Sequence, residues 1–296
     1  MQLFITGGTG TLGHALVEQF HTKHKITVYS RDPIKQKKMK AQYPDARFVL
    51  GDIMDIDGLH RAMIGHDVVI HAAAQKHIPE GEANAMATME VNVTGSTNVA
   101  SAAIQADIKR VVGISTDKVC YPVNTYGASK MLMERAFLEY NQMGLTEFAL
   151  VRYGNVIGSN GSVVQVWRNQ IANGRLPTLT DPEMTRFWLY EEDAVELVRL
   201  AMGETPSGSI LIPMAPACSM AEFAAQAGID DWEVIGLRPG EKMHEVLLTN
   251  EEAEFAIPVF QGDYLLLTPG KYQGRLRGSY VSSEPEARFV LKGDLL

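Results

Sequence analysis

The chain has 296 residues, 46% hydrophobic and 21% charged, a balance that excludes a disordered polymer and suits one large domain or a domain with a small lobe. Area scaling gives roughly 12,000 Å² of folded surface against about 47,000 Å² for the extended chain, so a core needs no metal or disulfide staple. The 27 Lys+Arg against 35 Asp+Glu leave a formal charge of −8, which argues against a general binder of nucleic acid or anionic membranes.

Two cysteines, Cys120 and Cys218, are too few for a secreted disulfide framework and fit a reducing compartment. The glycines Gly7 and Gly8 arrive too soon for a signal-peptide apolar region, and no uncharged apolar run approaches the ~20 residues of a membrane span. The expectation is a soluble, cytoplasmic protein. In chain order, apolar runs at 3–6, 26–30, 48–50, 68–71, 111–115 and 148–152 predict strands. Helical patterns at 12–20, 35–40, 59–63, 83–105 and 126–143 fall between them. Runs such as Val68-Val69-Ile70 lack polar alternation, so both sheet faces are expected to be covered. The order predicts an α/β fold with a Rossmann-type doubly wound parallel sheet.

After Tyr153 the rhythm changes. Glycines and asparagines cluster over 154–161, a helix runs to Asn173, 178–187 reads as loop, and 192–202 reads as helix. Short mixed pieces at 209–212, 220–227 and 233–237 precede a helix from Lys242. The expected organisation is a dinucleotide-binding domain with the catalytic residues over 1–153. A smaller C-terminal substrate lobe over 154–296 would interleave with it.

The first strand runs straight into Gly7-Gly8-Thr9-Gly10-Thr11-Leu12-Gly13 and then a helix. Glycine suits this position because a Cβ would keep the backbone from a pyrophosphate, and the helix N-terminus offers free amides and a positive dipole. The second strand ends in Tyr29-Ser30-Arg31-Asp32. Ser30 stands where an acidic residue would grip the ribose 2′-hydroxyl of NAD, and Arg31 can fork onto a 2′-phosphate, which favours NADP over NAD. Asp32 keeps NAD open. Asp52, followed by Ile53, is placed to receive the adenine amino group or to cap the next helix.

Tyr126 and Lys130 are four apart and share a helical face, the spacing at which an ammonium stabilises a phenolate. With the glycine turn upstream, this pair becomes a specific signal, and Ser115-Thr116-Asp117-Lys118 precedes it at the end of the fifth strand.

These residues resemble the extended short-chain dehydrogenase/reductases and, more narrowly, the UDP-N-acetylglucosamine 4,6-dehydratases of bacterial polysaccharide and flagellin-sugar biosynthesis. The resemblance covers nearly the whole chain, and its most specific stretches lie at 115–118, 152–159 and 181–187. It implies an internal redox reaction. Tyr126 would take the sugar 4-hydroxyl proton, Lys118 the C5 proton, and Asp117 would protonate the departing 6-hydroxyl, with Thr116 beside them. Lys118 would have to be kept neutral, by burial or by Lys130, and an Asp-Lys pair accompanies enzymes that invert C5. The cofactor would rest on Ala72, Ala73, Ala74, Lys76, Asn92, Ser115, Tyr126 and Lys130 in addition to the glycine turn. On the substrate side, Asn155, Arg186 and Arg238 would meet the diphosphate. Glu183 and Glu241 would hold hydroxyls, and Lys76 and Val163 would lie near the sugar. Cys120 and Tyr121 depart from the family pattern close to Lys118 and are expected to touch the site. The stripe Ala87, Val91, Gly95 and Val99, with helix 126–143, could pair across a two-fold, and a homo-oligomer, dimer or larger, is the family expectation. No zinc-ligand spacing links His60, His66, His71 and His77. The rival readings are a UDP-sugar 4-epimerase or 4-ketoreductase, and a nonenzymatic NADP-binding redox sensor.

Overall fold

Strand and helix alternate through the first half much as the apolar runs foretell. A computed structural model describes residues 1–271, 276, 278–293 and 295. It opens with β1 (Gln2–Thr6), α1 (Thr11–Phe20), β2 (Lys25–Ser30), α2 (Pro33–Gln42), β3 (Arg47–Leu50), α3 (Ile56–Met63) and β4 (Val68–His71). Short helices α4 (Ile78–Ala83) and α5 (Ala85–Met89) follow, then a π turn over Glu90–Thr94 and α6 (Gly95–Gln105). β5 (Arg110–Thr116), α7 (Thr125–Gln142) and β6 (Glu147–Tyr153) complete the half. Helix starts are set locally. Asp32 caps α2 ahead of Pro33, Asp55 caps α3, and Asn124 caps α7.

The later elements are β7 (Asn155–Val156), α8 (Val163–Ala172), β8 (Thr178–Leu179), β9 (Thr185–Leu189), α9 (Glu191–Gly203), β10 (Ser209–Pro213), β11 (Ala217–Ser219) and α10 (Met220–Gln226). After them come β12 (Glu233–Val234), β13 (Val246–Leu248), β14 (Ala256–Val259), β15 (Tyr264–Leu267) and β16 (Tyr280–Val281). The main sheet runs β14-β15-β10-β6-β5-β4-β1-β2-β3. It is parallel from β10 to β3, with an antiparallel hairpin, β14–β15, added at the far edge. All four residues of β4 are buried, as a sheet covered on both faces requires. Strand order reverses at β1, between β2 and β4, so a crevice opens at the carboxyl ends of these strands.

The second half does not form a lobe by itself. Ala194, Leu197 and Val198 of α9 and Ile210 and Leu211 of β10 join the main core, while a second cluster gathers Val164, Trp167, Trp188, Met220 and Phe223. Trp188 and Phe223 stack with ring centres 4.0 Å apart.

Three expectations are corrected. Residues 178–187 hold β8 and the start of β9, because β9 finds partners in both β7 and β11. No helix starts at Lys242: the Met243 carbonyl accepts from Thr185 N at 2.9 Å, which draws this stretch out along β9 toward β13. The helix expected over 83–105 breaks at Asn84 (φ −136°, ψ 60°) and again passes through the π turn. The small-residue stripe divides: Ala87 is exposed on α5, while the α6 end of the stripe packs on its own chain. Val99 is fully buried, and a Cβ on Gly95 would lie 2.5 Å from Ile53 Cδ1.

Phe137 of α7 lies against Gly113 in β5 and between the rings of His71 and Phe148. Phe137→Ala should therefore cost about 3–5 kcal/mol, read as a lowered urea midpoint with an unchanged slope.

Candidate active site

A cavity of about 860 Å³ occupies the crevice. Gly7, Thr9, Gly10, Thr11, Leu12 and Gly13 all line it. Gly7 has φ +67°, and a Cβ there would stand 2.6 Å from Ala73 N; one on Gly13 would stand 2.4 Å from Gly8 Cα. Gly10 is different. Only the Gly7 carbonyl approaches its Cβ position, at 3.2 Å, and no side chain caps α1. The helix amides and the bare backbone therefore suit a pyrophosphate, and the cavity is large enough for a dinucleotide with a sugar beside it.

Ser30 and Arg31 line the adenosine end, joined by Lys35 from the start of α2. Gln36 Nε2 donates to Ser30 Oγ at 3.0 Å and to the Val49 carbonyl at 2.8 Å, fixing the strand end. Asp32 is committed elsewhere. Its Oδ1 accepts from Lys35 N and Ile34 N, which hold its carboxyl below the usual range. Asp52 accepts from Met54 N at 3.0 Å and faces Arg31 at 3.5 Å, while its neighbours Gly51 and Ile53 line the cavity. The helix-capping alternative for Asp52 fails, since Asp55 takes that place.

Ala72, Ala73, Ala74, Lys76 and Ser115 also line the cavity. Asn92 does not. Its amide Nδ2 donates to the Gln75 carbonyl (2.9 Å) and to Ser129 Oγ (3.0 Å), and its Oδ1 accepts from Gln75 N (2.8 Å). It ties the strand-end loop to α7 from within the π turn, so it holds the site's wall in place. Behind it His71 is sealed between Thr6 Oγ1 (2.8 Å) and Ser96 Oγ (2.9 Å), and burial, with Lys130 nearby, pushes its pKa down to about 3.

β5 ends at Thr116 and a tight turn, Asp117–Val119, carries the chain toward α7. A Cβ on Gly127 would be 2.2 Å from the Lys118 carbonyl, so α7 rests directly on this turn. That contact brings Thr116, Lys118, Tyr126 and Lys130 to one cavity wall. Asp117 lies beneath them, fully buried. Its Oδ1 accepts from Lys118 Nζ and Thr116 Oγ1, both at 2.9 Å, and its Oδ2 has no partner among the described residues. Lys118 Nζ is also 3.5 Å from Asn155 Oδ1 and 3.6 Å from Glu245 Oε1.

Burial lifts Asp117 above the usual carboxylate range, with Lys118 opposing the shift and Glu245 adding to it. Burial works against the Lys118 ammonium too, yet the carboxylates of Asp117 and Glu245 outweigh it and raise Lys118 above its ordinary value. The expectation of a neutral Lys118 is therefore corrected for the resting pair. Lys130 is the amine that burial depresses, to about 7, against the pull of Glu134. The Tyr126 phenol is raised by burial, and the ammonium that opposes the rise is that of Lys118 rather than Lys130.

Of the substrate-side expectations, Asn155, Val163 and Lys76 line the cavity, whereas Arg186, Glu183, Arg238 and Glu241 do not. Arg186 is buried with its guanidinium on the Thr185 and Met243 carbonyls (2.7 and 3.2 Å). Arg238 pairs with Glu241, and Glu183 is exposed. Motif spacing carries no information on which of these side chains reach the cleft. Cys120 and Tyr121 also miss the cavity. Cys120 is buried against Arg152, and Tyr121, at φ +48°, donates its hydroxyl to Glu251.

The sequence reading missed Tyr153, which pairs in register with Thr116 at the sheet edge and lines the cavity; the strand-end rule could have found it. In the loop from which Asn155 is expected to reach the substrate, residues 159–162 line the cavity as well. There Asn160 N donates to Thr11 Oγ1 (3.1 Å), and a Cβ on Gly161 (φ +76°) would lie 2.6 Å from His77 Cε1. Behind the wall, Ser115 Oγ donates to Glu134, and Arg152 binds Glu134 and Glu252 together.

A doubly wound sheet with this glycine turn and Tyr126-x-x-x-Lys130 in one cleft defines an extended short-chain dehydrogenase/reductase. Residues 3–260 match the family described as polysaccharide biosynthesis protein, and the chain belongs to that family. It is 38% identical over 262 residues to a Campylobacter jejuni protein named UDP-N-acetylglucosamine 4,6-dehydratase (inverting), covering 85% of this chain and 78% of that one. It is 39% identical over 267 residues to a Rickettsia conorii protein named UDP-glucose 4-epimerase, covering 84% and 78%. Among solved structures, Pen from Bacillus thuringiensis superposes with a TM-score of 0.90 at 32% identity, covering 95% of this chain and 92% of that one. Among the described residues no helix is long and apolar enough to cross a membrane, and no cluster of metal-ligating side chains occurs.

His71 carries a pH signature. Its folded pKa lies below the unfolded value near 6.5, so its contribution to stability is complete above pH 6.5 and is lost as the pH falls toward 3. Urea unfolding of the wild type should lose up to about 5 kcal/mol across that window from this group, and His71→Asn should flatten that part of the slope.

Proposed function

We propose that the chain dehydrates UDP-N-acetylglucosamine to a UDP-4-keto-6-deoxy sugar, with inversion at C5 and NADP as the cofactor, in cytoplasmic surface-polysaccharide or glycan biosynthesis. The observation that carries this reading is the Asp117–Lys118 pair set under the cavity beside Tyr126. A tyrosine and a lysine suffice for redox at C4; a further acid and base are what removal of water from C5 and C6 demands.

A bound nicotinamide would supply a hydride acceptor for the sugar and a donor afterwards, held by the glycine turn, Ser30, Arg31 and Lys130. Tyr126 would accept the 4-hydroxyl proton as its phenolate, the form that the Lys118 ammonium and the Thr116 hydrogen bond favour against burial. The pair would react with its proton on Asp117 and Lys118 neutral, a form reached from the charged pair by transfer across the 2.9 Å contact. The 4-ketone acidifies C5–H, and Lys118 takes that proton. The electrons of the C5–H bond form C5=C6 as the C6–O bond breaks, and Asp117 protonates the departing oxygen to give water. Asn155 beside Lys118, with Lys76 and Val163 on the cavity wall, would orient the sugar.

NADP rests on Arg31 and Lys35, two cations beside Ser30 at the adenosine end, with Asp32 committed to its cap. Exposed Met86, Met89 and Leu132 on α5 and α7 support a homo-oligomer through those helices.

The second reading is a UDP-sugar 4-epimerase, favoured by the charged resting state of Lys118 and by the name of the Rickettsia relative. Incubation with UDP-N-acetylglucosamine in heavy water separates the two. Loss of water with deuterium at C5 is the expected product, and Lys118→Met should slow its formation at least about 10²-fold. A C4 epimer that keeps all its oxygens would overturn the dehydratase reading. For the cofactor, Arg31→Ala should weaken NADP about tenfold relative to NAD in equilibrium titrations; equal losses for both would argue against a 2′-phosphate at this end.

A further inference from the structure

Beneath the cavity lies a carboxylate that the proposed chemistry does not use. Glu245 immediately precedes β13 and is 3% exposed. Its backbone N–H donates to Ser282 Oγ at 2.8 Å, which anchors the residue independently of its side chain. The side chain reaches toward Lys118 Nζ with Oε1 (3.6 Å) and toward Lys242 Nζ with Oε2 (3.5 Å). Oε2 is buried and lacks a hydrogen-bond partner among the described residues.

The groups that face it come from three directions. Lys118 and Asp117 approach from the turn after β5 and the buried Arg186 guanidinium from β9. Lys242 comes from its own segment and is itself fixed by donating to the Cys120 carbonyl at 2.6 Å. Three cations thus surround two carboxylates, and the Lys118 ammonium sits between both of them.

We propose that Glu245 is a positioning residue that acts through Lys118 to set the protonation of the Asp117–Lys118 pair. The inference deepens the dehydratase reading and rests on it. A negative charge at Glu245 favours the ammonium of Lys118 and disfavours the carboxylate of Asp117, so it holds protons on both members. The reactive pair carries one proton, and a pair that shares protons titrates as a unit with two macroscopic steps. The rate should therefore rise through the first step and fall through the second, and Glu245 pushes both steps to higher pH. Its use is to keep Asp117 supplied with a proton at neutral pH, when an ordinary carboxyl would have lost it.

The test is the pH profile of water loss from UDP-N-acetylglucosamine, measured for the wild type, Glu245→Gln and Glu245→Asp, with thermal melting as a check on folding. Glu245→Gln should move the ascending limb toward acid by about one pH unit, and Glu245→Asp, which keeps the charge, should leave the limb near its wild-type position whatever its maximal rate. If Glu245→Gln does not fold, Lys242→Gln replaces it. Removing the cation at the far oxygen should move the limb toward alkali. A Glu245→Gln profile lowered in height with unmoved limbs, or a Lys242→Gln limb that stays put, would overturn the proposal. Absence of water loss in the wild type would instead overturn the dehydratase reading.

Discussion

One guanidinium holds the working end of this molecule together. Arg152 of β6 is 1% exposed, far from any water that could hydrate its charge. Two buried or half-buried carboxylates answer it. Glu134 of α7 accepts at 3.1 and 2.8 Å, and Glu252, from the segment after β13, accepts twice at 2.8 Å. The Leu247 carbonyl takes a further bond at 3.0 Å. Burial alone would neutralise Glu252, but the bonds and charge of Arg152 hold its carboxyl below the usual range. Such a cluster is costly to desolvate and strongly destabilised when one member is missing, so its members stand or fall together. Through Ser115, which donates to Glu134, the cluster reaches β5 one residue before Thr116. The second half of the chain is thereby fastened to the strand end on which the reacting groups are mounted.

That fastening explains where charge sits in the cleft. Asp117 and Lys118 lie on the cavity side of β5's end, and the Arg152 cluster lies behind it, each largely neutralised within itself. Of the two lysines carried by the turn after β5 and by α7, Lys118 is a protonated amine between carboxylates, and Lys130 has a pKa near 7 that leaves it poised between charge states. Lys118 and Lys130, twelve residues apart, look alike in the sequence; their surroundings make them opposites.

Much of the frame was legible because it follows from local chemistry. The run Val68-Val69-Ile70 reads as a strand covered on both faces, and β4 is one. The glycine turn demanded backbone room, and the contacts at Gly7 and Gly13 show why a Cβ has none. Tyr126 and Lys130 needed only helical periodicity to share a wall. What stayed hidden depends on partners far along the chain. Arg186 reads as a phosphate-binding cation until the Met243 carbonyl is seen beneath it. The charge on Lys118 is supported by Asp117 beside it and also by Glu245, far along the chain, and no periodic pattern links Lys118 to Glu245. Asn92 reads as a ligand contact until Gln75 is seen to use both ends of its amide. Tyr121 follows Lys118 closely, but its left-handed backbone turns it out toward Glu251.

The loop carrying Asn160 is fastened across the cleft mouth by a single backbone bond to Thr11, with Gly161 seated on His77. A bond of that kind is worth about 0.5–1.5 kcal/mol net, a few thermal units at most. Gly158 and Gly161 both stand at positive φ, where a side chain would strain the backbone, and at Gly161 it would also meet His77. Parting the cleft mouth at this loop would therefore cost one such latch, while the Arg152 cluster would still tie β6, α7 and the segment after β13 together.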